Sequence, residues 1–153
     1  MVAELIKNKT NLYETDYNLW ILETVKQLEN KNFNAVDWEN LIEEVLDLSE
    51  RKRRKMTSLL MKLIEHLLIL QYWDSEKERN KSHWEREILN FRLQIMEELE
   101  DSPSLNNHLN NKFFDCYLKG CKLASKHFQL PLDRFPEKPI ASLEQILDEN
   151  WLP

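Results

Sequence analysis

Glycine is almost absent from this chain: one residue, Gly120, in 153. Sheet proteins draw most of their positive-φ turn positions from glycine, so few hairpins can be built here. Glycine-rich phosphate loops are excluded outright. Cysteine is nearly as scarce. Cys116 and Cys121 stand five apart, about 140° from each other around one helix, and cannot pair there. Two unpaired thiols and no signal peptide point to a reducing cytoplasm. No apolar run approaches the roughly 20 residues that cross a bilayer, so no membrane partner is expected. An excess of positive charge is lacking too. The formal charge of −6 disfavours general binding to nucleic acid or anionic lipid.

What is present is helical patterning in a chain whose length suits one domain, read as residues 1–153 with a loose segment over about the first ten. Hydrophobic residues at 42% and charged residues at 31% give a globular balance. Asn11 with Glu14 forms a possible capping box, with Thr15 or Asp16 as the alternative cap. Tyr17, Trp20, Ile21, Thr24 and Leu28 then recur at helical spacing, and Lys31 and Asn32 end the pattern. A second helical stretch starts at Asp37, an N-cap, and reaches Trp73. Unbroken it would be about 55 Å long, so a break at Ser49 or a protruding end is expected. From Leu59 to Trp73 it is apolar nearly all round, the mark of a central helix.

Glu76 to Lys81 reads as a charged loop, followed by a capping box of Ser82 and Glu85. Trp84, Ile88, Phe91, Ile95 and Leu99 continue one face. Ser102 and Pro103 read as the N-cap and first residue of the next helix. Its inner face is Leu105, Leu109, Phe113, Cys116 or Tyr117, Gly120 and Ala124. Pro131, Pro136 and Pro139 force irregular chain. Ser142 with Gln145 caps a short last helix, Leu143 to Asp148, and Trp151 and Leu152 tuck against the core. The expected fold is all-α: four to five helices in a bundle, with an irregular proline-containing C-terminal segment.

Three constellations bear on function. The first is a polar cluster of Glu43, Glu44, His66, Trp84 and Arg92. Glu43 lies between apolar Ile42 and Val45, so one of the two acids is expected to be partly buried, with Arg92 or His66 as partner. Such a cluster is either a ligand pocket with perturbed titration or a structural network fixing helix register, and the structural alternative is the commoner. The second is Arg51-Lys52-Arg53-Arg54-Lys55, following six acids (37, 39, 43, 44, 47, 50) with no intervening base. It is a nucleic-acid contact or, more simply, a solvated helical face braced by i,i+4 pairs. The third is the tryptophan set. Trp20 and Trp84 sit on apolar faces; Trp38 and Trp73 lie at helix ends, where exposure would mark a protein interface, and Trp151 closes the chain. No metal or cofactor is expected. There is no Glu-x-x-His pair or His-Glu-x-x-His, and His83 with Glu87 supplies two ligands only.

Several ordered motifs resemble one family. They are Tyr13-Glu14-Thr15-Asp16, Glu39-Asn40-Leu41-Ile42-Glu43-Glu44, His66-Leu67-Leu68, Trp84 with Arg92 eight later, Asp101-Ser102-Pro103-Ser104-Leu105, and Leu143-Glu144-Gln145-Ile146-Leu147-Asp148. Together they look like the bacterial, mainly cyanobacterial, "domain of unknown function twenty-nine", from about Tyr13 to Pro153. The resemblance implies a helical fold and a cytoplasmic bacterial protein, and no activity. Ser49 stands where the family often has glycine. Ile69 and Leu70 stand where it tends to have lysine and an aromatic residue.

The leading expectation is therefore a non-enzymatic module that binds a protein partner or itself. The alternatives are a small-ligand binder or enzyme using Glu43, Glu44, His66 and Arg92, and a nucleic-acid contact through Arg51 to Lys55.

Overall fold

The computed structural model describes residues 12–74 and 77–153. Among them there is no strand, and the fold is all-α. The chain divides into two compact units, Met1–Glu50 and Arg51–Pro153.

In the first unit, residues 12–15 form one helical turn. Asp16 caps helix α1, Tyr17–Glu29, its carboxylate accepting from the Leu19 N–H at 3.0 Å. The Asn11–Glu14 alternative and the loose first segment lie outside the described residues. Lys31 then takes a left-handed conformation (φ 54°), and Phe33–Ala35 make a 3-10 turn. Asp37 starts helix α2, Trp38–Tyr72, accepting from Asn40 N–H at 3.3 Å. Burial is sparse: Trp20, Thr24 and Val36. Of the α1 positions read as one apolar face, Tyr17 and Ile21 are exposed.

The expected break at Ser49 does not occur; α2 is continuous over 35 residues. Serine costs little inside a helix, and no glycine or proline stands nearby to stop it. Acids and bases at i,i+4 straddle the position, Asp47 with Arg51 and Glu50 with Arg54.

The second unit holds the core. α2 supplies Met56, Leu60, Leu63, Ile64, Leu67 and Leu68, all fully buried, as its all-round apolar pattern predicts. Helix α3, Lys77–Asp101, turns Trp84, Ile88, Phe91 and Ile95 inward. It starts five residues before Ser82, so the Ser82–Glu85 box is not a cap. Lys, Glu and Arg are good helix formers, and the expected loop is the helix's first turn, with Lys81 3.8 Å from Glu85. Glu76 lies outside the described residues.

Helix α4, Leu105–Phe128, also begins later than read. Ser102–Pro103 instead form a turn whose carbonyls accept from Leu105 and Asn106 N–H at 3.0 and 3.1 Å. The inner face of α4 is as predicted at Leu105, Leu109, Cys116, Tyr117, Gly120 and Ala124, all buried, while the expected Phe113 is half-buried. Gln129, at φ 53°, ends it in the left-handed region. Among the described residues both left-handed positions thus fall to residues with a Cβ, at about 1–2 kcal/mol each relative to glycine. The proline-rich stretch includes a 3-10 turn at Leu132–Arg134. Helix α5, Leu143–Leu147, carries the expected Ser142–Gln145 capping box in full, and Asp148 is its C-cap rather than its last residue.

Candidate functional site

The residues of the first constellation have separate surroundings. In the first unit, Glu43 is exposed and Glu44 is half-buried. Glu44 accepts from the phenols of Tyr13 and Tyr17, each donating to one carboxylate oxygen at 2.6 Å. Tyr13 also packs edge-on against Trp20, with 4.8 Å between centroids. The helical turn before Asp16 and the first turn of α1 thereby orient one carboxylate of α2. Beside it lies a hollow of about 400 Å³, lined by Tyr13, Glu43, Glu44, Leu46, Asp47 and Glu50. Among the described residues its lining carries four carboxylates, Glu43, Glu44, Asp47 and Glu50.

The hydrogen bond to Glu44 pushes the Tyr13 phenol up to about 12. Nearby negative charge makes the tyrosinate costly. In an alkaline absorbance titration, one tyrosine is expected to ionise near 12; Tyr13→Phe should remove that step and Glu44→Gln should move it toward the ordinary value of about 10. A titration with no high step assigned to Tyr13 would remove this geometry.

In the second unit, His66, Trp84 and Arg92 are not joined to one another by any hydrogen bond or ring contact found among the described residues. His66 Nδ1–H donates to the Lys62 carbonyl at 2.7 Å, and its ring meets Phe91 edge-on. Trp84 stacks on Trp73 at 5.5 Å, with Phe128 edge-on to both. Arg92 is 1% exposed, and its Nε donates to the Ile146 carbonyl at 2.8 Å. Burial lowers its pKa, while Asp148 and Glu149 act in the opposite direction. His66 and Arg92 are thus each engaged with a backbone carbonyl.

Two pairings have no counterpart in the sequence reading. Glu65, adjacent to His66, is the buried acid, and it accepts from His127 Nδ1–H at 2.5 Å. Glu98, also buried, receives Lys52 at 2.9 Å and Lys55 on its other oxygen. The five cations Arg51, Lys52, Arg53, Arg54 and Lys55 are all exposed, yet two of them converge on this one carboxylate.

Hydrogen bonds from Lys55 and then Lys52 hold the Glu98 carboxyl below its ordinary range. A depressed carboxylate pKa stabilises the fold above the unfolded value of about 4.3. That contribution is lost as pH falls through Glu98's own lower value. Glu98→Gln is therefore expected to flatten the acid limb of stability against pH; an unchanged limb by thermal melts would contradict the pairing.

A second hollow, about 500 Å³, lies in the second unit where α4 meets the 3-10 turn at Leu132–Arg134. Leu118, Cys121, Phe135 and Pro136 give it an apolar lining, with Lys122 and Asp133 beside them. Tyr117 ties the segment down by donating to the Pro136 carbonyl at 2.6 Å. Burial pushes the Cys116 and Cys121 thiols up, so they stay protonated and are poor nucleophiles. Among the described residues no group of three or more His, Cys, Asp or Glu side chains is placed to hold a metal. Nor is any helix there long and apolar enough to cross a membrane.

Of the tryptophans, Trp20 and Trp84 are buried and Trp73 and Trp151 half-buried. Trp38 is exposed, its Nε1–H donating to the Phe33 carbonyl at 2.9 Å and its ring beside that of Phe33.

These features define an all-α helical protein in whose second unit the buried Glu65, Glu98 and Arg92 are each engaged by another residue of that unit. The chain belongs to the family described as domain of unknown function DUF29, which matches residues 12–152. No curated protein and no solved structure matches it.

Proposed function

We propose that this chain is a non-enzymatic protein-interaction module and that its first unit is the binding element. One observation carries this reading. Among the described residues of the first unit, eleven large hydrophobic side chains are exposed, from Tyr17 to Leu48, while Trp20 and Val36 are the buried ones. Scattered exposed apolar residues are ordinary, but a concentration of them on one small unit marks an interaction surface. The exposed Phe33–Trp38 aromatic pair adds the residue types that anchor interfaces. Cytoplasmic placement fits two thiols left unpaired.

The test compares wild type with an Ile42→Asp/Leu46→Asp variant as bait in native lysate, alongside sedimentation velocity over a range of concentrations. Both positions are exposed, so helicity and melting temperature are expected to stay unchanged. A partner, or a dimer, should be present for wild type and lost for the variant. A monomer that recovers the same proteins with either bait would overturn the reading.

A further inference from the structure

The interaction reading leaves the chemistry of the partner open, and the N-terminal part of α2 narrows it. At 100° per residue, Trp38, Ile42, Val45 and Leu46 fall within an arc of about 100°. All four are exposed, Ile42, Val45 and Leu46 by 56%, 57% and 62%. Glu39, Glu43, Glu50 and Asp47 occupy the next arc on one side, and no base occurs between Asp37 and Glu50. The imbalance extends to the whole unit: residues 1–50 carry net charge −7, against +1 for residues 51–153. The acidic hollow of about 400 Å³ adjoins the stripe through Leu46. Two phenols orient Glu44 within it.

An exposed apolar stripe one helix-face wide, bordered by carboxylates, is the complement of a helix with an apolar stripe bordered by Lys or Arg. We propose that this face of α2 receives a basic amphipathic helix from a partner protein. The partner's apolar side lies along Trp38, Ile42, Val45 and Leu46, and one of its cations enters the hollow beside Glu43. A carboxylate-lined recess with a tyrosine ring suits a guanidinium or ammonium group. This inference rests on the interaction-module reading.

The experiment titrates the full chain with three synthetic peptides of about five helical turns. One places leucines at i, i+3, i+4 and i+7 with lysines along the borders. The second carries glutamate in place of each lysine. The third keeps the lysines and scrambles the leucines off one face. Binding is read by fluorescence anisotropy at low and physiological salt, with sedimentation velocity on the chain alone. The first peptide should bind, weakening with salt, and the other two should not. Ile42→Asp and, separately, Glu43→Lys/Asp47→Lys should each weaken it about tenfold or more, with unchanged circular dichroism.

Equal binding of the scrambled peptide would reduce the effect to bulk charge and overturn the inference, as would binding of the glutamate peptide. If no peptide binds but the chain dimerises and Ile42→Asp abolishes the dimer, the basic-helix inference fails while the interaction reading stands, with a second copy as occupant. If no peptide binds and the chain stays monomeric, the basic-helix inference fails, and the lysate comparison above decides the interaction reading on its own.

Discussion

Arg92→Ala should destabilise the second unit by about 3–5 kcal/mol, combining a large-to-small cavity with an orphaned buried carbonyl. The guanidinium is 1% exposed and supplies a hydrogen bond to Ile146 in the last turn of α5. A five-residue helix leaves its final carbonyls without internal partners, and Arg92 provides for one of them. No carboxylate forms an ion pair with Arg92 among the described residues; Asp148 and Glu149 act on it only through space. Much of what Arg92 contributes is therefore packing and one charge-assisted bond, set against the cost of burying a cation. Arg92→Met separates these. It keeps most of the volume, relieves the desolvation and still orphans the Ile146 carbonyl, so a smaller loss of about 1–2 kcal/mol is expected. Denaturant midpoints measure both. Hydrogen exchange at 143–147 should rise in both variants more than exchange in α2. An Arg92→Ala variant as stable as wild type would mean that the guanidinium is not buried.

Arg92 also shows where the sequence is legible and where it stops. The sequence offered it as a residue to pair with a partly buried acid, Glu43 or Glu44. The partner is a backbone carbonyl 54 residues away, and a carbonyl has no sequence signature. The same limit explains Glu98 with Lys52 and Lys55, and Glu65 with His127, which meet across 43 to 62 positions of chain. Local features read well because their causes are local. Asp16, Asp37 and the Ser142–Gln145 box act within one turn. The apolar spacing of α3 and α4 reports their inner faces directly. Where two local signals competed, the sequence alone could not rank them. Ser49 can cap a helix or sit inside one, and Ser82 likewise; in both places continuous helix won. On the candidate surface the sequence showed the acidic block and the tryptophan at its start. It did not show that Tyr13 and Tyr17 hold Glu44, since tyrosines at helical spacing read equally well as core.

Gly120→Ala should also destabilise, although alanine is the better helix former. The one glycine of the chain serves no turn; it lies inside α4 with ordinary helical φ. Its reason is contact. A Cβ there would stand 2.7 Å from Ile64 Cγ2 and 3.1 Å from Ile64 Cβ, with the Met61 carbonyl at 3.4 Å. Helix propensity alone would favour alanine by about 1 kcal/mol. Against that stands overpacking of about 1–3 kcal/mol, and here the upper half applies. The obstructing methyl belongs to a β-branched side chain that is stiff at χ1, fully buried, and seated on the central helix. A net loss of about 1–2 kcal/mol follows. Leucine at position 64 lacks the Cγ2 methyl while keeping the volume, so Ile64→Leu combined with Gly120→Ala should recover much of the loss. The double-mutant cycle would then show a favourable coupling of about 1 kcal/mol, since the two sites touch. Additive single effects would mean that α2 and α4 do not approach closely at this point. The alanine variant being more stable than wild type would mean the same. A chain with one glycine has placed it where two helices of its core touch, and its turns use Lys31 and Gln129 instead.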